Sequence, residues 1–263
     1  MDSLTYIIRN LHFGYSSTNV LRGIDLTFEP GKLHAIVGPN GSGKSTLLDI
    51  LAGHRVPASG DVLINNIPIS DHTPSALAKL TAIVPQEFDF NFPFTVFDTV
   101  LMGRHPHIPR FSRPSDVDID MVQTALTTMD IAQLANRTLA ELSGGEKQRT
   151  IFARALVQDT SCLLLDEPTS SMDIRHALST MTELTRLAHE GRTVIAVLHD
   201  LNLAASYCDR IIILDNGQMH KQGSIEETLT PETIQAVFGV TADITRKPQS
   251  DNLIISFDSK DHS

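Results

Sequence analysis

The sequence predicts an α/β fold with a mixed sheet as its core, an antiparallel β region at the amino terminus and a helical insert. The first observation is a series of short apolar runs separated by helical stretches, which is typical of buried parallel strands. The second is a glycine-rich loop at residues 38–45 that joins one such run to a helical stretch. The third is an acidic pair, Asp166 and Glu167, directly after another run. That is where an open α/β sheet has its ligand crevice.

Composition narrows the class of protein. Of 263 residues, 41% are hydrophobic and 20% charged, which is ordinary for a soluble globular protein. The two cysteines, Cys162 and Cys208, are too few for a disulfide framework and favour a reducing compartment. A formal charge of -10 argues against a nucleic-acid partner. We see neither a secretion signal nor an apolar run approaching the roughly 18 residues that a membrane span needs.

The elements follow in order along the chain. Residues 4–15 and 24–28 have extended, alternating patterns before a Glu-Pro-Gly turn, which predicts the antiparallel β region. A strand at 34–37 then leads through the glycine-rich loop into a helix at 46–51. The remaining apolar runs predict buried parallel strands at 82–84, 162–165, 193–198 and 211–214.

The middle of the chain has a different character. Between about residues 88 and 159, proline-rich and histidine-rich pieces lead into helical patterns, including 115–129, which begins on a Ser-x-x-Asp capping arrangement. After residue 217 we expect a Pro231-led helix, one alternating strand at 253–257 and a polar tail. The prediction is one domain, 1–263. It comprises a nucleotide-binding core at about 1–87 and 160–240, a helical subdomain at about 88–159, and a carboxy-terminal strand and tail at 241–263.

The glycine-rich loop has the spacing G-x-x-x-x-G-K-S, which lets backbone N–H groups surround a phosphate chain. The alternative, a glycine-rich turn that happens to contain Lys and Ser, fits the flanking strand and helix poorly. In the phosphate-binding interpretation Lys44 reaches the β and γ phosphates and the Ser45 hydroxyl is a Mg²⁺ ligand. The candidate nucleotide-binding residues here are Gly38, Pro39, Asn40, Gly41, Ser42, Gly43, Lys44, Ser45 and Thr46.

The acidic pair completes this predicted site. Asp166 is placed to hold the Mg²⁺ shell together with Ser45, and Glu167 to polarise the attacking water as general base. Two merely solvated carboxylates would be a poor fit after so apolar a run.

A second glycine-bearing helix start occurs at Leu142-Ser143-Gly144-Gly145-Glu146. Ser143 and Glu146 have the spacing of a capping box, which is a sufficient structural explanation. The same geometry also exposes N–H groups and a hydroxyl at a positive helix end, which is an anion site.

With these motifs in this order, the chain resembles the ATP-binding subunit of an ABC transporter over nearly its whole length. The residues 142–146 are similar to that family's signature motif. Gln86 after the strand at 82–84, the stretch 170–173 after Glu167, and His199 after the strand at 193–198 complete the pattern. Ser171, Met172 and Glu146 depart mildly from the usual Ala, Leu and Gln, which puts details of coupling in doubt but not ATP hydrolysis.

The resemblance implies an ATPase whose cofactors are ATP and Mg²⁺. Two copies would sandwich two ATP molecules head to tail, with Ser143, Gly144, Gly145 and Glu146 of one copy closing on the nucleotide of the other. Gln86 would sense Mg²⁺ and water, as a metal and catalytic residue. His199, for which a structural role is the alternative, would hold the transition-state phosphate beside Lys44 and Glu167.

Two further residues take nucleotide-site roles from the resemblance. Tyr15 stands where the family carries an aromatic ring that stacks on adenine, with a core tyrosine as the alternative. Asp173 resembles the residue that links the two sites across the dimer.

The resemblance also implies partners and a location. The family docks a helix of its membrane permease after Gln86, where five phenylalanines cluster: Phe88, Phe90, Phe92, Phe94 and Phe97. They form either an apolar groove for that helix or local core. We expect a peripheral protein on the cytoplasmic face of the inner membrane, working with permease subunits and indirectly with a substrate-binding protein.

The cargo follows only from finer resemblance. Residues 102–107 and 199–204 resemble importers of iron-siderophore, haem and cobalamin complexes. Iron-complex import is the first expectation, with cobalamin or an oxyanion as alternatives. An exporter subunit and a soluble ABC ATPase that serves no transporter are others. His105 and His107 lack a completing ligand set and are interpreted as surface or docking residues rather than a metal site.

Overall fold

The computed structural model describes residues 3–15, 18–86, 93–246 and 252–258. The strands are β1 (Tyr6–Tyr15), β2 (Thr18–Phe28), β3 (Lys32–Val37), β4 (Ser59–Ile64), β5 (Ile67–Pro68), β6 (Thr81–Val84), β7 (Cys162–Asp166), β8 (Thr193–Val197), β9 (Arg210–Asp215), β10 (Gln218–Gly223), β11 (Thr241–Arg246) and β12 (Leu253–Asp258). The α-helices are α1 (Lys44–Leu51), α2 (Pro74–Leu80), α3 (Val96–Leu101), α4 (Asp116–Thr128), α5 (Gly144–Val157), α6 (Ile174–His189), α7 (Leu201–Tyr207), α8 (Ile225–Thr228) and α9 (Pro231–Phe238).

The central sheet has six strands in the order β10-β9-β3-β8-β7-β6. Five of them run parallel, and β10 adds an antiparallel edge to β9. A second sheet, β2-β1-β4-β5, is antiparallel throughout. The predicted mixed α/β core with an amino-terminal antiparallel region is therefore confirmed.

The inner strands β3, β7, β8 and β9 are largely apolar because both of their faces are covered. On β3, the side chains of Ala35 and Val37 join a core with helices α3 to α7, while Ile36 joins a second core with α1 and the antiparallel sheet. This two-sided burial explains why the parallel strands read as continuous apolar runs in the sequence.

The helices α3, α4 and α5 pack against one another, and α5 also packs on β6. An ion pair holds them at one end. Arg104 Nε donates to Asp118 Oδ1 at 2.8 Å and its Nη1 to the carbonyl of Val157 at 2.8 Å, and both charged side chains are largely buried. The helix predicted at 115–129 is α4, with Ser115 as its N-cap in a capping box with Asp118. The domain boundaries at about 88 and 159 stay a prediction.

The carboxy-terminal part differs from the prediction of one strand. Two strands, β11 and β12, pair antiparallel, and Asn202 of α7 bonds both backbone groups of Ile255 on β12. The short pattern of β11 is too weak to mark a strand without this partner. Cys162 and Cys208 are buried and free, and burial raises the pKa of both thiols. None of the described helices is long and apolar enough to cross a membrane.

Candidate active site

The glycine-rich loop leaves β3 and closes on the first turn of α1. Gly43 precedes the helix with φ 100°, and a Cβ there would lie 2.6 Å from Leu21 Cδ2. A Cβ at Gly38 would lie 2.0 Å from the carbonyl oxygen of Leu214. Side chains at either position would push the loop away from its strands. Because Gly43 offers no side-chain cap, the N–H groups of the first turn of α1 remain free for an anion.

Lys44 is folded back over this loop. Its ammonium donates to the carbonyls of Gly38 at 2.9 Å and Pro39 at 2.8 Å. Burial lowers the pKa of Lys44, while the negative charges of Glu167 and Asp166 act in the opposite direction. The cation thus stands between the loop and two carboxylates, where it can exchange backbone carbonyls for phosphate oxygens.

One open cavity of about 750 Å³ unites the predicted catalytic side chains. It is lined by Val20, Asn40, Gly41, Gly43, Lys44, Ser45, Thr46, Gln86, Glu167 and His199. The walls therefore come from β2, the glycine-rich loop, and the ends of β6, β7 and β8. Four sequence positions far apart meet here because parallel strands end at one edge of the sheet.

Asp166, the last residue of β7, is the group best placed for a metal. It accepts a hydrogen bond from the Ser45 side chain, and burial raises its pKa above the ordinary value. Its Oδ1 is buried and has no hydrogen-bond partner among the described residues. A hydroxyl, a carboxylate and the amide of Gln86 are oxygen ligands of the kind that Mg²⁺ takes, with phosphate and water completing the shell. The residues present fit this ion.

Glu167 stands in an unusual backbone conformation. Its φ is 51°, in the left-handed region that non-glycine residues rarely adopt, and its N–H donates to the carbonyl of Val197 at 3.2 Å. Its carboxylate Oε1 lies 2.5 Å from His199 Nε2. Backbone strain of this kind concentrates at functional sites. Here it turns the carboxylate out of β7 and into the cavity.

The segment 142–146 lies elsewhere. Ser143 caps α5. Its Oγ donates to Glu146 Oε2 at 2.7 Å, and the Glu146 N–H donates to Ser143 Oγ at 3.4 Å. The Ser143 hydroxyl and the Ser143 backbone N–H both donate to Glu146 Oε2, and these two bonds lower the pKa of Glu146. Ser143 and Gly144 are exposed, and a Cβ on Gly145 would lie 3.0 Å from the carbonyl oxygen of Ser171. The capping box is therefore present, and the exposed end of α5 packs against the turn at 170–173 instead of lining the cavity.

Asp173 and Tyr15 also stand outside the cavity lining. Asp173 is the N-cap of α6 and accepts from the N–H of His176 at 2.9 Å. Tyr15 is 44% exposed, which does not fit a core tyrosine. Its ring meets the edge of Phe13, with centroids 5.1 Å apart, and the Arg55 guanidinium lies 4.9 Å from its centroid.

Sequence reasoning missed Val20. This residue of β2 lines the cavity. Its carbonyl oxygen packs tightly on Gly217, since a Cβ added to that glycine would lie 2.1 Å from the oxygen. A lone valine in a strand carries no sequence signal. Only the packing of the antiparallel sheet onto the loop reveals it.

A second, more apolar groove of about 650 Å³ runs between α2, α5 and the residues after α3. Met102, His105 and Pro106 line it together with Leu77 and Arg154. Of the phenylalanines predicted near this region, Phe97 packs on the core. Phe88, Phe90 and Phe92 lie outside the described residues.

Comparison with known proteins gives one family. The family model described as ABC transporter matches residues 21–170. A hemin import ATP-binding protein, HmuV of Pseudomonas aeruginosa, is 40% identical over 253 residues, covering 94% of this chain and 98% of the relative. A cobalamin import ATP-binding protein, BtuD of Halobacterium salinarum, is 39% identical over 246 residues, covering 93% of this chain. The chain spans 61% of the length of that haloarchaeal relative.

Solved structures agree. A metal-chelate type ABC transporter in an inward-facing conformation superposes with a TM-score of 0.81 at 30% identity, covering 97% of this chain and 96% of that one. A dimeric ATP-binding cassette in a post-hydrolysis state, bound to ADP and phosphate, superposes with a TM-score of 0.75 at 28% identity. That match covers 84% of this chain and 98% of the other.

Proposed function

Since the chain belongs to the ABC transporter family, we propose that it is the ATP-hydrolysing subunit of an importer that takes up an iron complex, a siderophore or haem. The observation that carries the ATPase is the single cavity that joins Lys44, Ser45, Gln86, Glu167 and His199. The likeness to the hemin import protein supports the cargo class.

The loop would bind the phosphates of ATP. Free backbone N–H groups of the glycine-rich loop and of the first turn of α1 surround the phosphate chain, and Lys44 moves from the carbonyls of Gly38 and Pro39 to the β and γ phosphates. Ser45, Asp166 and Gln86 would hold Mg²⁺, which neutralises charge on the phosphate oxygens when bound.

Glu167 would act as general base. A water in line with the β–γ bridging oxygen gives a proton to the Glu167 carboxylate as its oxygen attacks the γ-phosphorus; ADP leaves with the bridging oxygen and the γ-phosphoryl group becomes inorganic phosphate. His199 would donate from its ring nitrogen to the γ-phosphate oxygens. The contact between Nε2 and Oε1 supports this pairing, because it puts both side chains at one wall of the cavity.

A second copy of the chain would complete the site. Ser143 and Gly144 are exposed, Gly145 and Glu146 are half-buried, and all four stand outside the cavity of their own chain, which suits contact with the nucleotide of a partner. Tyr15 would stack on adenine through its exposed ring. Asp173, at the start of α6, would face the same interface. The dimeric cassette bound to ADP and phosphate supports this arrangement.

Permease subunits are the proposed membrane partner. The groove beside Met102 and Pro106 would receive a permease segment, and the chain would lie peripherally at the cytoplasmic face of the inner membrane. A substrate-binding protein would act with it indirectly. Closure of the dimer on ATP would reach the permease through this groove.

Cobalamin import is the second candidate, favoured by 39% identity to the cobalamin import protein. The ATPase does not touch the cargo, so its site does not choose between them.

Uptake measurements test both proposals. Labelled iron-siderophore, haem and cobalamin are supplied to cells lacking this chain, with and without the wild type or Glu167→Gln. Loss of one cargo that only the wild type restores supports import and names the cargo. Normal entry of all three in every strain overturns the proposal. Purified protein is assayed in parallel for ATP turnover, so that an active ATPase with another cargo is recognised.

A further inference from the structure

The histidine at the start of α6 faces a carboxylate from each of two separate parts of the chain. His176 Nδ1 lies 2.9 Å from both carboxylate oxygens of Asp173, within its own turn. On the other side of the ring, Nε2 lies 3.6 Å from Oδ2 of Asp130, which follows α4. The second distance is within ion-pair range but beyond a hydrogen bond. The His176 side chain is 19% exposed, whereas those of Asp173 and Asp130 are 66% and 61% exposed.

The surroundings of the ring are polar. A cavity of about 20 Å³ beside it is lined by Arg149 of α5 and Glu183 of α6 as well as Asp130, together with neutral side chains. Arg149 Nε and His176 Nε2 are both buried without a hydrogen-bond partner among the described residues. Asp173, Asp130, Arg149 and Glu183 are thus the charged groups that face the ring from the elements packed on it.

The location gives this contact its significance. Asp173 ends the turn at 170–173, and the Ser171 carbonyl of that turn lies against Gly145 in the first turn of α5. Asp130 belongs to the helical part that carries α5. The ring therefore spans the joint between the turn and the helices that present residues 143–146.

We propose that His176 is a positioning residue that holds the Asp173 carboxylate against α6 and ties the turn at 170–173 to Asp130. The proposal rests on the proposed function, in which residues 143–146 and Asp173 meet a partner chain across ATP. With the tie in place, both surfaces keep one relative orientation when the dimer closes.

A double-mutant cycle tests the tie in the full-length protein, with His176→Ala, Asp130→Asn and the combination. His189→Ala on the same helix is the matched control, since its side chain is 58% exposed and remote from the turn. We expect His176→Ala to lower turnover about five- to tenfold while ATP affinity stays within about twofold. The combined variant should be no slower than His176→Ala alone. Turnover of His176→Ala equal to that of the His189 control, or independent multiplication of the two losses, overturns the proposal.

A nitrogen NMR spectrum of the nucleotide-free protein gives a second readout. We expect Asp130→Asn to shift the Nε2 signal of the His176 ring. If the His176 signals are identical in the wild type and in Asp130→Asn, the proposed contact between His176 and Asp130 is excluded. This measurement does not depend on ATP turnover. If the wild type shows no hydrolysis that depends on Glu167, the proposed function fails while the spectrum still judges the tie.

Discussion

His199 Nε2 lies 2.5 Å from Glu167 Oε1, so the proposed base and the proposed phosphate-binding histidine contact each other directly. Binding of ATP would have to exchange this contact, because His199 cannot direct one N–H at both a carboxylate and a γ-phosphate. The released Glu167 carboxylate would then accept a proton from water. The site is thereby kept from presenting a free base before the nucleotide is in place.

Glu167→Gln tests the base. The amide keeps the size of the side chain but cannot take a proton from water, so we expect turnover to fall by about 10²- to 10⁴-fold. ATP binding should be retained and the ATP-bound dimer should be more stable, because hydrolysis no longer opens it. Phosphate release, equilibrium ATP binding and the mass of the complex in solution check these outcomes. Turnover at the wild-type rate would remove Glu167 from this role.

The sequence was sufficient to predict the features that depend on local sequence pattern. The glycine-rich loop, the parallel strands and the capping boxes at Ser115 and Ser143 follow from spacing within a few residues, and the structure has them in place. The features that the sequence analysis missed depend on contacts with residues far away in the chain. Strand β11 is stabilised by pairing with β12, and Val20 reaches the cavity only through sheet packing.

The ion pairs between helices also depend on contacts between residues far apart in the chain. Nothing in the sequence pairs Arg104 with Asp118 or His176 with Asp130, since helix packing alone brings them together. Glu167 was predicted as a base from its position after a strand, but its left-handed backbone, with φ 51°, was not visible in the pattern.

Tyr15→Ala tests adenine stacking. Removing an exposed ring that stacks on the base should weaken ATP binding about tenfold, with little change in stability because the ring is 44% exposed. Tyr15→Phe is the matched control and should bind ATP as the wild type does, since it keeps the ring. Titration with a fluorescent ATP analogue measures both. Equal affinities of the Ala and Phe variants would show that the ring makes no contact with the base.

Ser143→Ala separates capping from catalysis. Ser224 forms a matched box, in which its Oγ donates to Glu227 Oε2 at 2.8 Å, against 2.7 Å from Ser143 to Glu146. Both serine-to-alanine variants should lose about 1 kcal/mol of unfolding free energy. Only Ser143→Ala should also lower turnover, because only its hydroxyl would meet ATP. Urea unfolding and phosphate release distinguish the two effects, and equal turnover would leave Ser143 as a cap alone.

Mixing two impaired chains tests whether the contact comes from a partner. Lys44→Ala damages the phosphate loop and Ser143→Ala the segment before α5. In a mixed dimer, one site pairs the intact loop of the Ser143 variant with the intact serine of the Lys44 variant. We therefore expect partial recovery of turnover above that of either chain by itself. Absence of recovery, with mixed dimers demonstrated by differently tagged chains, would contradict a contact in trans.

Asp118→Asn tests the buried ion pair that fixes the helical part. The hydroxyl of Ser115 and the Arg104 guanidinium lower the pKa of Asp118 to about 2. Because the folded pKa lies below the unfolded value, the ionised carboxylate stabilises the fold fully above about pH 4. That contribution is lost as the pH falls from about 4 towards 2. At pH 7 we expect the variant to lose about 3 kcal/mol, since Arg104 stays buried without its counter-charge.

The acid branch of the stability curve is the decisive measurement for this pair. Urea unfolding at several pH values between 7 and 3 should show the wild type losing more stability on acidification than Asp118→Asn, because the variant has no such proton to take up. Asp98→Asn is the control. Asp98 caps α3 through Thr95, whose Oγ1 donates to it at 2.6 Å, but no arginine pairs with it in the described structure. We therefore expect Asp98→Asn to cost only about 1 kcal/mol at pH 7. Parallel pH curves for the wild type and Asp118→Asn would mean that the carboxylate has the same proton affinity in the folded and unfolded chains.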